Sequence, residues 1–347
     1  MSVLAKAKIK HNRFLRFVNL FDRAVGTIEP INRRVYFYSR YNILRAYATD
    51  GCLTMDMRLG DVDKHFESFY VAPLDNIKLI SRNTNTEDVE IRFGEKLEFS
   101  KGSEYLSILH PLSRNPKRRG VFTPKVEVKS SELVHVIDVG SIISHAGQDI
   151  LIGATNEKFF ALCEEYGHIS IASMRLDINS FMAEIPYETA RHLVKTLDII
   201  RNEKLMMGFS ESTLGLKFSD GVIGICTVEA NEDMNNVKKF LEIKREDISL
   251  STQMLKTATS LCAKFQRQNR GEGYFELSDR LRIGVLSQSS AYEYIQSVGC
   301  KTHVRVSIMP KKLNQFLARI HEKSVHLGIT GEFVIFKGKN ALFAIKR

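Results

Sequence analysis

The chain has 347 residues, which at roughly 100–200 residues per domain suggests two or three domains. Hydrophobic residues make up 44%, the longest apolar runs are too short to cross a bilayer, and Met1 to Asn12 carries no apolar signal core, so a membrane-spanning or secreted protein is not expected. The formal net charge of +10 points to a polyanionic partner, most often nucleic acid, with a generally basic surface as the plainer alternative.

A helix is expected from about Asn12 to Gly26. Phe14, Phe17, Val18, Phe21 and Val25 form one apolar stripe, and Arg13, Arg16 and Arg23 fall on the opposite side of the cylinder. The next segment, "YATDGCLTMDMRL" (Tyr47 to Leu59), has the look of a metal or phosphate site. Its alternation instead predicts a strand entered through a tight Asp50-Gly51 turn. The spacing of Asp50, Asp56, Asp61 and Asp63 does not match a calcium loop.

A shorter amphipathic helix follows, opening at Pro73 in "APLDNIKLISRN" and carrying the basic pair Lys78 and Arg82. Then comes "VEIRFGEKLEFSKGSEYLSIL" from Val89: strand, turn, strand ending on Phe99, turn, strand.

This order returns twice. A helix from Ser131 to Ala146 leads to strands and to "IPYETARHLVKTLDII", with Pro186 and the basic pair Arg191 and Lys195. The strands "LMMGFSESTLGLKFSDGVIGICTV" end this third. A helix from Ser249 to Gln268 opens the last. Its Met254, Leu255, Ala258, Leu261, Cys262 and Phe265 face one way, and Lys256, Lys264 and Arg267 another. "MPKKLNQFLARI" begins at Pro310; Leu313, Phe316, Leu317 and Ile320 form its stripe, and Lys312, Gln315 and Arg319 its other face. The anchoring Phe99, Phe218 and Phe336 recur 119 and 118 residues apart. Such a period marks a repeat architecture. The polar stretches Ser113 to Pro124 and Asn231 to Lys239 read as linkers, giving domains 1–120, 121–239 and 240–347 of an α+β protein.

The exposed helix faces are mainly basic, while acidic residues collect in strands and turns, as at Glu87-Asp88 and Glu164-Glu165. The helix from Ser131 is the exception: it offers His135, Asp138, Ser141 and His145 but no lysine or arginine. The five cysteines, Cys52, Cys163, Cys226, Cys262 and Cys300, are scattered without a CxxC. Reduced thiols are therefore expected rather than a disulfide framework or zinc site. Phosphate-loop, dinucleotide, HExxH and GxSxG patterns are absent, so an enzyme is not expected.

With this threefold order the sequence resembles the bacterial-type DNA polymerase III beta subunits, the DNA sliding clamps. "AYATDG" (Ala46 to Gly51), "SHAGQDILIG" (Ser144 to Gly153) and "GHISIASM" (Gly167 to Met174) are local echoes of the family. The resemblance implies three tandem clamp domains, each with two helices packed on antiparallel sheets. It also implies a head-to-tail homodimer closing a six-domain ring around double-stranded DNA. That is a cytoplasmic processivity factor with no cofactor, tethering a DNA polymerase and placed by a clamp loader at the fork. It sets the side facing DNA as that of Arg13, Arg16, Arg23, Lys78, Arg82, Arg191, Lys195, Lys256, Lys264, Arg267, Lys312 and Arg319, and adds Gln148 as a polar contact. It also implies a pocket for partner peptides, with Gly167, His168, Ile169 and Ile171 on one wall and Leu342, Phe343, Ala344 and Ile345 on another. "NEDMNNV" and the ending "AIKR" depart from the family's pattern at this pocket, as a divergent or virus-encoded member would. The rival reading is a basic adaptor that holds nucleic acid in an open groove.

Overall fold

The structure, a computed structural model, describes residues 3–25, 33–82, 86–114, 116, 122–155, 157–210, 212–230, 234–243, 248–298 and 302–347. The first run of elements is β1 (Ala5–Ile9), α1 (His11–Ala24), β2 (Arg34–Arg40), β3 (Ile43–Thr49), β4 (Leu53–Asp61), β5 (Phe69–Pro73), α2 (Leu74–Ser81), β6 (Val89–Phe93), β7 (Lys96–Lys101) and β8 (Glu104–Leu109), followed by the short β9 (Leu112–Ser113). The second is β10 (Val126–Lys129), α3 (Ser130–Gly140), β11 (Asp149–Ala154), β12 (Lys158–Glu165), β13 (His168–Arg175), β14 (Phe181–Pro186), α4 (Tyr187–Ile199), β15 (Lys204–Ser210), β16 (Thr213–Phe218) and β17 (Gly221–Cys226), followed by the short β18 (Val228–Glu229) and by α5 (Met234–Glu242). The third is β19 (Ile248–Ser251), α6 (Thr252–Asn269), β20 (Glu272–Leu277), β21 (Arg280–Leu286), β22 (Ala291–Ser297), β23 (Val304–Ile308), α7 (Pro310–Arg319), β24 (Ser324–Ile329), β25 (Phe333–Lys337) and β26 (Ala341–Lys346). One ten-element order, β-α-β-β-β-β-α-β-β-β, thus occurs three times.

The sheets show how the repeats join. Each repeat supplies two four-stranded antiparallel groups. In the first unit, Met1–Val134 with Glu188–Val228, the group β10-β15-β16-β17 fuses with β4-β3-β2-β5 through β17 and β4, in register from Gly221↔Met57 to Ile225↔Leu53. The group β1-β6-β7-β8 stands as a separate sheet. In the second unit, His135–Tyr187 with Glu229–Arg347, β14-β11-β12-β13 fuses with β26-β25-β24-β19 through β13 and β26. The group β22-β21-β20-β23 is its separate sheet. Both fusions use the same two positions: the last strand of one repeat pairs with the third strand of the preceding repeat's central four.

Helices pack on these sheets by the stripes read from the sequence. Phe14, Phe17, Val18, Phe21 and Val25 are all buried, as are Leu313, Phe316, Leu317 and Ile320. Burying each such side chain contributes about 1.5–3 kcal/mol before entropy is counted. In α6 the stripe is looser: Leu255, Ala258 and Cys262 are buried while Leu261 is 40% exposed.

Several expectations need correction. Pro310 takes the first turn of α7, but Pro73 and Pro186 are the last residues of β5 and β14, directly before their helices. The helix predicted to Ala146 ends at Gly140; the chain then turns through residues 141–148, with Gly147 at φ +86. The stretch Asn231 to Lys239, read as linker, is α5 from Met234 onward, because Met234, Val237 and Leu241 share one helical face; residues 231–233 lie outside the described ones. Half of the other linker, residues 115 and 117–121, also lies outside them.

The thiols hold the largest correction. Cys52 and Cys226 are joined as a disulfide, with Cα atoms 4.9 Å apart. Cys52 precedes β4 and Cys226 ends β17, and the Cys226 N–H donates to the Cys52 carbonyl at 3.0 Å. Strand pairing across the fusion brings them together, and linear spacing gives no sign of it. Cys163 and Cys262 are free and buried; Cys300 lies outside the described residues.

Candidate nucleic-acid interface and apolar pocket

In the first unit the three α1 arginines have different environments. Arg13 Nη2 lies 2.8 Å from Asp220 Oδ1 and also donates to the Arg58 carbonyl at 3.3 Å. Arg16 pairs with Glu203, places Nε 3.6 Å from Asp220 Oδ2, and stands 6.0 Å over the Phe218 ring. These two arginines tie the first repeat to the β16–β17 turn of the second. Arg23 is exposed with no ion pair among the described residues. Lys78 Nζ lies 2.8 Å from Asp22, which Arg33 also contacts. Burial alone would raise the Asp22 carboxyl, but hydrogen bonds and charge from Lys78 and Arg33 outweigh it and hold the group below its ordinary value. Arg82, Arg191 and Lys195 are exposed.

In the second unit, Lys264 and Arg267 are exposed on α6 and Lys256 is half-buried. Lys312 is turned inward: its ammonium donates to the Ile142 and Ser144 carbonyls at 2.9 and 3.3 Å, and burial lowers its pKa. Arg319 Nε lies 2.5 Å from Asp138 Oδ2, beside a stacked His135–His321 pair with centroids 5.9 Å apart. Gln148 accepts from the His145 N–H at 3.3 Å and is half-buried. The residues predicted as one cationic surface therefore divide. Arg23, Arg82, Arg191, Lys195, Lys264 and Arg267 reach solvent, whereas Arg13, Arg16, Lys78, Lys312 and Arg319 engage protein oxygens.

The "YATDGCL" turn is structural. Asp50 Oδ1 accepts from the Cys52 and Leu53 N–H groups, and Oδ2 lies 3.5 Å from His192 Nδ1. Asp56 pairs with Arg45 at 2.8 Å and accepts from the Tyr38 hydroxyl.

The residues predicted to line a peptide pocket meet on β13 and β26. Tyr166 and Gly167 both take positive φ in the turn that starts β13. Ile169 pairs with Ala344 and Ile171 with Leu342, and these four join one buried cluster with Leu151, Phe160, Val237 and Ile335. His168, Phe343 and Ile345 alternate to the opposite face. There the His168 ring stands 5.9 Å from Phe343, and its Nε2 accepts from the Met309 N–H at 3.3 Å. Burial lowers the His168 pKa, although backbone hydrogen bonds to Tyr166 and Glu165 act the other way.

Beside the cluster lies a cavity of about 560 Å³. Of the eight predicted residues only Ile169 lines it directly; Leu151, Leu162, Val237, Phe240, Phe333 and Ile335 are among its other apolar lining residues. Phe240 and Phe333 meet edge to face at 5.4 Å, and Lys158 donates to the Leu241 carbonyl near the end of α5 at 3.4 Å. Sequence reasoning missed the α5 wall, whose signal was the 234, 237, 241 spacing.

No family model matches the chain, and no curated protein does. Solved structures do match. The DNA polymerase III beta subunit of Thermotoga maritima has a TM-score of 0.82 at 13% identity, covering 99% of this chain and 98% of that one. A DNA polymerase sliding clamp of Pseudomonas aeruginosa has a TM-score of 0.82 at 14% identity, covering 99% of both chains. The beta subunit from the DNA polymerase of Streptococcus pyogenes has a TM-score of 0.80 at 14% identity, again covering 99% of both. Along nearly its whole length, then, this α+β chain has the fold of the DNA polymerase III beta sliding clamps.

Proposed function

We propose that the chain is a DNA sliding clamp of three domains, 1–120, 121–239 and 240–347, two copies of which close head to tail into a ring around duplex DNA. The observation that carries this reading is the repeated use of one junction. The last strand of a repeat pairs with the third central strand of a neighbour at β17·β4 and again at β26·β13. Among the described residues, the same rule leaves β8 of the first repeat and β22 of the third as unpaired edges of their sheets. Tyr105 and Leu109 on β8 are each 60% exposed, and Ile295 on β22 is 48% exposed. An open apolar edge invites another strand. A heterologous contact that closes by rotation gives a ring.

The solvent-reaching cations would attract phosphates without reading sequence, leaving the ring free to slide. The apolar pocket would hold a peptide of a DNA polymerase or clamp loader. The role is that of a non-enzymatic, cytoplasmic processivity factor at the replication fork. Retention on DNA tests it against a basic adaptor with an open groove. A ring is expected to stay on circular plasmid and leave once the plasmid is cut; equal retention on both forms rules the ring out.

A further inference from the structure

The pocket's walls are acidic on a chain that is basic. Among the described residues, Asp149, Glu164, Glu184 and Glu332 line the cavity against two lysines, Lys239 and Lys346. Asp149, Glu164 and Glu332 are exposed lining residues, and their carboxylates make no ion pair among the described residues. Glu184, Asp149 and Glu164 come from the neighbouring strands β14, β11 and β12, and Glu332 from the turn before β25, across β13 and β26, so negative charge borders the apolar floor from both directions along the sheet. The floor can take one or two large apolar side chains, since cavities of about 300–1,000 Å³ suit small ligands or peptide anchors.

We infer that this pocket selects a peptide whose apolar anchor is flanked by lysine or arginine. The inference rests on reading the pocket as a partner-docking site and adds the chemistry of the partner. An acidic peptide entering it would meet like charge at close range, which suppresses the wrong partner, while a basic one would be drawn in and held in register. The choice runs against the chain's overall charge of +10, which on balance favours acidic peptides. A preference for the basic peptide can arise only locally.

Two fluorescein-labelled octapeptides test this with the full-length chain. Both carry one Leu-Phe pair; one has lysine flanks and the other aspartate flanks. At low salt the lysine peptide is expected to bind about tenfold more tightly, from several exposed charge pairs acting together. Glu164→Gln with Glu332→Gln should bring the two affinities within about twofold, because half of the four carboxylates are gone. Phe240→Ala should weaken both peptides, and unlabelled aspartate peptide should displace the lysine peptide from the native chain. If the two peptides compete but the aspartate form binds as well or better, the pocket stands and its charge preference is overturned. If neither binds, or they bind without competing and without regard to Phe240, the docking reading falls and takes the preference with it.

Discussion

Lys312 donates its ammonium to the Ile142 carbonyl at 2.9 Å, and to Ser144 at 3.3 Å, fastening α7 to the turn after α3. Helical phase alone puts this lysine on a basic face. Its partners make it a structural strut, so Lys312→Ala should cost about 1.5–3 kcal/mol of stability, the worth of hydrogen bonds to a charged group. The slope of DNA affinity against salt should be unchanged. Denaturant unfolding and a salt titration separate the two effects, and a shallower slope with unaltered stability would return Lys312 to the DNA-facing set.

The opposite result is expected at Lys264 and Arg267, which α6 presents to solvent. Replacing both with alanine should leave folding nearly intact. The slope of log affinity against log salt should fall by about 0.9 for each phosphate contact removed. In a closed dimer that amounts to as many as four contacts. Fluorescence anisotropy on a short duplex at several salt concentrations measures it, and an unchanged slope removes α6 from the DNA path.

Much of this architecture is legible in the sequence because it is written in local periodicity. The stripe Phe14, Phe17, Val18, Phe21, Val25 predicts a buried helical face, and all five are buried. Phe99, Phe218 and Phe336 sit at the ends or within equivalent strands β7, β16 and β25, and all three are buried. What periodicity does not carry is pairing between distant segments. The phase of Arg13 and Arg16 is visible; Asp220 and Glu203, which engage them, arrive through the β17·β4 junction. Strand alternation also splits the predicted pocket. Choosing consecutive residues, as at Leu342 to Ile345, necessarily places half of them on the far face of the sheet.

The Cys52–Cys226 bridge spans a sequence separation of 174 and crosses that same junction. Closing so long a loop restricts the unfolded chain, worth about 2–5 kcal/mol. Cys52→Ser should therefore lower the melting temperature, and a reductant should lower that of the native chain to match. A native melting temperature insensitive to reductant, together with two titratable thiols at these positions in the folded protein, would show that the junction does not depend on the bond.

Two histidines, the buried His168 and the half-buried His135, should make the second unit acid-sensitive. Desolvation lowers the pKa of His135, with the neighbouring His321 adding to it, and desolvation likewise lowers that of His168. A histidine whose folded pKa lies below its unfolded value binds protons more readily when unfolded. Its stability contribution is complete above the unfolded value of about 6.5 and is lost as pH falls from there through the folded pKa. Melting temperature should decline over that window before carboxylates such as Asp22 begin to titrate. His135→Gln should flatten part of the decline; an identical profile in that variant would remove His135 from the cause.

The unpaired edges give the sharpest test of ring closure. Each copy carries both β8, with Tyr105, and β22, with Ile295, so a head-to-tail dimer has two copies of one junction. Tyr105→Lys damages both junctions at once, and so does Ile295→Lys, since each places a lysine where apolar surface must be buried. Either variant alone should run as one chain by light scattering and lose its preference for circular plasmid. Mixing the two variants separates association from closure. The Tyr105→Lys copy retains a native β22 and the Ile295→Lys copy a native β8, so one junction in the mixed pair is intact and the other is doubly damaged. The mixture should recover a two-chain mass yet still slip from circular DNA, because a ring open at one seam does not link topologically. Two-chain mass in each variant alone would place the interface elsewhere, and circular retention by the mixture would mean that encirclement does not require both seams.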